Sequence, residues 1–303
     1  MKALVIGYGS IGQRHARILE YMGFQVYIVS RRAQHKLNFF SSLETALKEN
    51  KYDYIVIANE TVAHIESLRE IINYKFTGMI LVEKPLFAKV DSVSLNDCMI
   101  FVAYNLRFHP LILQLKTMLF NEQTISVNAY VGQYLPTWRP NIDYTKCYSA
   151  YSNQGGGVLR DLSHELDYLT YLFGEWNSLV ANTAKISNLN IQSEDYTQVS
   201  YRTNQDIHVS VELNYLDRID QRYVIVQTNN KTIKIDFIDN SINCNGEIEQ
   251  LATVDRDYTY MKQHEAILND SLHCCSFKEG LNIVKMIEAI EKSSIHKEWV
   301  YND

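Results

Sequence analysis

The chain has 303 residues, more than one hydrophobic core usually fills, so two domains are expected before any motif is read. Hydrophobic residues at 46% and charged residues at 21% exclude a disordered, collagen-like or membrane-embedded chain. A formal net charge of -6 with no basic stripe argues against nucleic acid as a partner, because phosphate neutralisation dominates that binding.

Five cysteines, at 98, 147, 244, 274 and 275, form an odd set without Cys-x-x-Cys spacing, which argues against a disulfide framework and against a zinc site. No metal is expected. The chain opens directly into a strand and a glycine turn, and no apolar run reaches bilayer length, so a cytoplasmic protein without a membrane partner is expected.

Short apolar runs at 3–6, 26–29, 54–58, 79–82 and 100–103 alternate with helical patterns at 12–22, 42–49 and 62–73. That alternation predicts an α/β doubly wound parallel sheet. After Asn105 the pattern changes to a helix at 110–120, a strand at 125–132, an irregular stretch and a helix at 158–173. Strands at 178–186, 195–203, 207–216, 223–228 and 231–237 then alternate as in a large, mainly antiparallel open sheet with one covered face. Asn229-Asn230 suits a two-residue hairpin turn. Helical patterns at 258–273 and 278–292 close the chain, with Cys274 and Cys275 in a segment read as helical.

Gly7-Tyr8-Gly9-Ser10-Ile11-Gly12 follows the first strand and opens a helix, the context that makes this glycine pattern a dinucleotide-binding signal. Gly7 permits the tight turn, Gly9 lets backbone approach a pyrophosphate, and Gly12 lets the helix lie close to the strand. The amides of Ser10 and Ile11 at the helix N-terminus add donors and positive potential. The first 104 residues therefore read as a Rossmann domain. An NAD-preferring site places an acid at the end of the second strand, whereas this strand ends Val29-Ser30-Arg31-Arg32. A hydroxyl and two guanidinium groups match a 2'-phosphate, so NADP(H) is the preferred cofactor and NAD(H) the alternative. The competing reading has Arg31 or Arg32 stack on adenine or face solvent. Beyond the third strand, Asn59, the N-capping Thr61 and His64 are placed at the cofactor crevice, with His64 equally readable as an ordinary helix residue.

The fourth long strand ends in Glu83-Lys84-Pro85, and a charged pair at that edge is costly unless ligand or catalysis uses it. Lys84 there can hydrogen-bond a substrate oxygen and take part in proton transfer; the alternative is a solvated ion pair. At this point the chain resembles the glucose-fructose oxidoreductase, inositol dehydrogenase and rhizopine catabolism family, Gfo/Idh/MocA. The resemblance covers nearly the whole chain. It rests on Val5-Ile6-Gly7-Tyr8-Gly9-Ser10-Ile11-Gly12-Gln13-Arg14-His15, on Glu83-Lys84-Pro85, on Tyr104-Asn105-Leu106-Arg107-Phe108-His109-Pro110, and on Gly155-Gly156-Gly157 leading to Asp161-Leu162-Ser163-His164-Glu165-Leu166-Asp167.

The resemblance implies reversible hydride transfer between a nicotinamide and a carbon of a sugar, nucleotide-sugar, acidic sugar or cyclitol, with Lys84 matching the catalytic lysine and His164 the proton-transferring histidine. The family often carries an aspartate four residues before that histidine. Arg160 holds that place here, and Asp161, three before, is the candidate substitute because positions three and four apart share a helix face. The loop from 135 to 153 offers Trp138, Arg139, Tyr144 and Tyr148 to hold substrate, with Arg139 suited to a carboxylate or phosphate. Arg107, at the domain junction, is expected to meet substrate or the Glu83 carboxylate.

The expected division is thus 1–104 for the dinucleotide and 105–303 for substrate binding and oligomerisation, the second sheet covering its open face in a homodimer or homotetramer. Two other readings stay open: a reductase of a non-sugar substrate, and a non-catalytic NAD(P)-binding regulator.

Overall fold

The computed structural model describes residues 1–31, 38–93, 98–139 and 142–302. In chain order the first elements are β1 (Lys2–Ile6), α1 (Ser10–Tyr21), β2 (Gln25–Val29), β3 (Phe39–Phe40), α2 (Leu43–Glu49), β4 (Tyr54–Ile57), α3 (His64–Asn73), β5 (Met79–Val82) and β6 (Met99–Val102). There follow α4 (Pro110–Met118), β7 (Thr124–Gly132), α5 (Leu135–Trp138), α6 (Val158–Asp161), α7 (His164–Phe173), β8 (Trp176–Ala184), β9 (Tyr196–Thr203), β10 (His208–Asn214), β11 (Gln221–Thr228), β12 (Thr232–Asp236), β13 (Ser241–Cys244) and β14 (Glu247–Gln250). The chain closes with α8 (Tyr258–Leu268), β15 (Cys275–Ser276), α9 (Phe277–His296) and β16 (Val300–Tyr301).

Two compact units result. The first holds residues 1–108 and 255–284, the second 109–254 and 285–303. This corrects the single cut after residue 104: α8, β15 and the start of α9 belong with the N-terminal unit. The physical reason lies in buried side chains of α8, since His264 and Gln263 are 0% and 1% exposed and bond to Tyr54 and to the Val102 carbonyl. Cys275 is likewise not helical; it pairs with Val102 in a two-residue antiparallel strand, too short to leave a periodic signal.

In the first unit the sheet order is β15-β6-β5-β4-β1-β2-β3, all parallel except β15. Leu4, Val5, Tyr54, Ile55, Val56, Leu81 and Val82 are fully buried, because strands covered on both faces read as continuous apolar runs. Strand order reverses at β1 and β4, and crevices for ligands form at the carboxyl ends of such strands. Ser42 caps α2 by accepting from the Thr45 N–H.

In the second unit the order is β14-β13-β12-β11-β7-β10-β9-β8-β16. Every pairing is antiparallel except β7 with β10. Alternation is strict in β9, where Thr197, Val199, Tyr201 and Thr203 are buried and the residues between face outward. Asn229 and Asn230 do form the expected turn, closed by the Thr228 N–H on the Lys231 carbonyl at 2.8 Å. Helix α9 is tied to β8 by Ser293 and Ser294, whose hydroxyls accept from the Ala181 and Thr183 amides. The opposite face carries Ser126, Asn128, Tyr130, Ser200, Arg202, Ser210 and Tyr223, with the Tyr130 and Tyr223 rings stacked at 5.4 Å. Among the described residues no helix is long and apolar enough to cross a membrane.

The expected helix over 158–173 is two helices. Leu162 leaves helical geometry (φ -100°, ψ 26°), so α6 ends at Asp161 and α7 starts at His164. No glycine or proline marks this break.

Candidate active site

The first unit builds a cradle around the first turn of α1. Gly7 has φ +96°, and a Cβ there would lie 2.5 Å from the Ala58 carbonyl oxygen, so the carboxyl ends of β1 and β4 adjoin closely. A Cβ on Gly12 would lie 2.1 Å from the Gly7 oxygen, which fixes how near the helix runs to the strand. A Cβ on Gly9 would meet nothing within 4 Å, so the ground over the turn is open. No side chain caps α1, and its leading amides, those of Ser10, Ile11 and Gly12, have no intrahelical acceptor. An uncapped helix start under an open glycine is built for a pyrophosphate.

Asn59 borders the same strand ends. Its Nδ2 donates to Ser67 Oγ at 2.9 Å, and its buried Oδ1 takes no hydrogen bond among the described residues. That acceptor suits a ribose or amide donor of a dinucleotide, and the residues present fit the group. Ser30 follows β2 with its amide bonded to the Phe40 carbonyl, and Arg31 beside it is exposed. Arg32 lies outside the described residues.

Three expectations at this end are corrected. Thr61 is no N-cap: it starts a short 3-10 turn, and α3 begins only at His64. His64 does not reach toward a cofactor; 1% exposed, it sits between the Asn59 carbonyl and the carbonyls of Pro85 and Leu86, each at 3.2 Å. Burial holds its imidazole below the ordinary value although those carbonyls favour the charged form. Glu83 faces inward rather than toward a ligand. Its Oε1 meets His15 Nε2 at 2.8 Å and its Oε2 accepts the Lys84 N–H at 3.1 Å. Lys84 stands just beyond β5, partly exposed, before a cis peptide to Pro85.

Arg107 is also corrected. Only 1% exposed, its guanidinium pairs with Glu279 at 2.7 Å and donates to the Cys274 carbonyl at 3.3 Å, while Glu83 is held by His15 and the Lys84 amide. It anchors the returning segment 255–284 within the first unit.

The second unit gathers a second group. Asp161, 6% exposed, accepts from Ser149 Oγ at 2.6 Å and from the Tyr215 hydroxyl at 2.7 Å. The Tyr215 ring packs on Trp138 at 5.8 Å. Arg139 lies over the Trp138 and Tyr148 rings at 5.5 and 5.1 Å and reaches the Tyr148 hydroxyl at 3.4 Å. Burial, and after it the Asp161 charge, push the Tyr148 hydroxyl well above its usual range. Trp138, Arg139, Tyr148 and Asp161 thus converge as one cluster. Tyr144 instead meets the Asn190 amide at 3.4 Å.

Ser149 and Tyr215 were not singled out from sequence; Tyr215 continues the inward register of Val209, Val211 and Leu213, which is the signal that points to it. Arg160 turns to an ion pair with Glu291, while Asp161, like Glu165 and Asp167 further on, is buried. His164 opens α7 and is partly exposed.

The break before His164 overturns the shared-face argument for Asp161, because the two residues belong to different helices. Gly157, at φ +120°, makes the approach to α6 possible: a Cβ there would lie 2.1 Å from the Glu194 carboxylate, whose Oε1 accepts the Leu159 amide at 3.2 Å.

Two family models match the chain, one described as an oxidoreductase family with an NAD-binding Rossmann fold over residues 1–99, the other as the GFO/IDH/MocA C-terminal domain over 118–232. The chain belongs to the Gfo/Idh/MocA family of oxidoreductases.

Solved structures share the whole fold of this Gfo/Idh/MocA chain. Levoglucosan dehydrogenase in complex with NADH has a TM-score of 0.84 at 15% identity, covering 99% of this chain and 98% of that one. The WlbA dehydrogenase from Bordetella pertussis, in complex with NADH and UDP-GlcNAcA, has 0.79 at 18% identity, covering 100% and 98%. A super-repressor mutant of Gal80p from Saccharomyces cerevisiae has 0.82 at 13% identity, covering 99% and 97%. At these identities the likeness is one of fold. No curated protein matches the sequence.

Proposed function

We propose that the protein transfers hydride between a nicotinamide dinucleotide and a carbinol carbon of a sugar-like substrate that carries an acidic group. The observation that carries this reading is Lys84, a partly exposed amine just past β5, in the same unit as the open, uncapped start of α1. The dinucleotide, when bound, supplies or accepts the hydride. Gly9 and the leading amides of α1 hold its pyrophosphate, and Asn59 Oδ1 takes one of its donors. Lys84 donates to the substrate oxygen, and His164 removes or returns the hydroxyl proton. Arg139, with Trp138 and Tyr148 against its faces, recognises the acidic group, and Asp161 fixes the cluster through Ser149 and Tyr215. The WlbA dehydrogenase, which shares this fold, is in complex with NADH and UDP-GlcNAcA, which supports a sugar-like ligand here. NADP(H) is the preferred cofactor, because Ser30 and Arg31 stand where an acid would select NAD(H). None of the five cysteines is in a disulfide among the described residues, in keeping with a reducing, cytoplasmic setting. Self-association runs through the open face of the second sheet.

A second reading is a non-catalytic dinucleotide-binding regulator; a super-repressor mutant of Gal80p shares this fold. Kinetics separate the two. Lys84→Met and His164→Asn are each expected to lower kcat by about 10²- to 10⁴-fold with dinucleotide affinity within about two-fold of wild type. Unchanged turnover in Lys84→Met removes Lys84 from the reaction, and a wild-type protein that binds dinucleotide but turns over no acidic sugar, neutral sugar or cyclitol favours the regulator.

A further inference from the structure

Four side chains of the first unit form one buried line. Tyr54 (β4), His264 (α8) and His15 (α1) are each 0% exposed, and Glu83 is 8% exposed. The Tyr54 hydroxyl is 2.9 Å from His264 Nδ1, His264 Nε2 is 2.8 Å from His15 Nδ1, and His15 Nε2 is 2.8 Å from Glu83 Oε1. Glu83 Oε2 then accepts the Lys84 N–H at 3.1 Å.

Donor and acceptor rules fix the direction of every link. A carboxylate only accepts, so His15 Nε2 carries a proton. A neutral His15 then accepts at Nδ1, which places a proton on His264 Nε2 and leaves His264 Nδ1 to accept from the Tyr54 O–H. The other arrangement makes His15 a cation that donates at both nitrogens. His264 Nδ1 would then donate to the Tyr54 oxygen, and the buried Tyr54 O–H would have no acceptor among the described residues. A buried donor left without an acceptor carries its full desolvation penalty.

We propose that His15 is a positioning residue for Lys84: an oriented chain of hydrogen bonds from Tyr54 through His264 and His15 ends on the Glu83 carboxylate that holds the Lys84 backbone. Its consequence for turnover rests on the catalytic role given to Lys84 above; the chain itself does not. The groups that interact with Glu83 are His15 from α1, Lys84 beyond β5, His64 from α3 and Tyr260 from α8. Arg14 is stacked on Tyr260 and paired with Asp257, and His15 donates directly to Glu83 Oε1. Burial alone would raise the Glu83 carboxyl, but the hydrogen bond from His15, followed by the Lys84 charge and N–H, holds it below the ordinary 4.5. Burial presses His264 well below its usual value, in keeping with a neutral His264. The anchor under Lys84 therefore stays an acceptor throughout the neutral range.

The test follows the Lys84 backbone amide by ¹H–¹⁵N NMR from about pH 5.5 to 8, a window above an ordinary carboxylate midpoint. In the wild type its shift is expected to be flat. His15→Gln keeps a donor toward Glu83 and is expected to stay flat; His15→Leu has similar bulk without a donor and is expected to show a midpoint inside the window. A flat His15→Leu, or a titrating wild type, overturns the proposal. If His15→Leu does not fold, wild-type tautomers decide by long-range ¹H–¹⁵N correlation: both histidines protonated on Nε2 alone supports the chain, and a proton on Nδ1 of either overturns it. In His15→Leu, kcat is expected to fall along the amide midpoint while NADPH affinity stays within about two-fold; a kcat indifferent to that midpoint overturns the positioning role. A wild type without turnover removes the proposed reaction, and the amide titration still decides the chain.

Discussion

Single residues show how differently buried charges are settled in this chain. Arg107 and Glu83 stand at edges where sequence order suggests a ligand, yet each is matched inside the first unit, by Glu279 and by His15. Those partners lie 172 and 68 positions away in sequence, beyond the reach of any local pattern. The glycine turn that opens α1 is legible because it directly follows β1 and leads straight into the helix. Glu194 is the least settled acid. Burial beside Gly157 and α6 raises its carboxyl to about 7, against an ordinary 4.5. A folded-state value above the unfolded one makes the native protein bind the extra proton between those limits, so its contribution is full below 4.5 and is lost as pH rises through 7. The loss is on the order of 3 kcal/mol. Glu194→Gln keeps the acceptor for the Leu159 amide and is expected to be more stable than wild type at pH 8 by an amount of that order, and equal to it near pH 4.5. Denaturant unfolding at both pH values measures this; equal stability at pH 8 contradicts it.

At the scale of elements, α1 ties packing to binding most directly. Gly12 and Gly9 sit on the same turn but meet different surroundings, backbone at 2.1 Å in one case and open space in the other. Gly12→Ala is therefore expected to lose about 1–3 kcal/mol of stability together with dinucleotide binding. Gly9→Ala is expected to unfold within about 0.5 kcal/mol of wild type and to bind dinucleotide at least about ten-fold more weakly, its methyl standing where the pyrophosphate approaches. A Gly9→Ala protein with wild-type affinity would show that the ligand does not lie over this turn. The parallel strands and their helices were readable because apolar runs and 3.6-residue periodicity were long enough to register. The break between α6 and α7 was not: Leu162 and Ser163 carry no breaker signal, and the partners of Asp161 at the stop, Ser149 and Tyr215, lie 12 and 54 positions away.

For the whole molecule, the two units and their sheets follow from the change of pattern after Asn105, but the return of residues 255–284 to the first unit does not. It depends on His264 and Gln263 burying polar groups against partners more than 150 residues away. The open sheet face, where Val180, Ile225 and Ile248 stand among polar residues beside the stacked Tyr130 and Tyr223, is expected to bury itself in a second copy; light scattering at micromolar concentration should give a dimer or tetramer, and a monomer would contradict this. The membership in an oxidoreductase family and the cradle over α1 meet in one claim, that a nicotinamide dinucleotide binds here. Parallel fluorescence titrations with NADPH and NADH test it most directly, in wild type and in Arg31→Ala. Saturable binding, tighter for NADPH and losing that preference in Arg31→Ala, is the expected result; saturable binding of neither dinucleotide would contradict the claim.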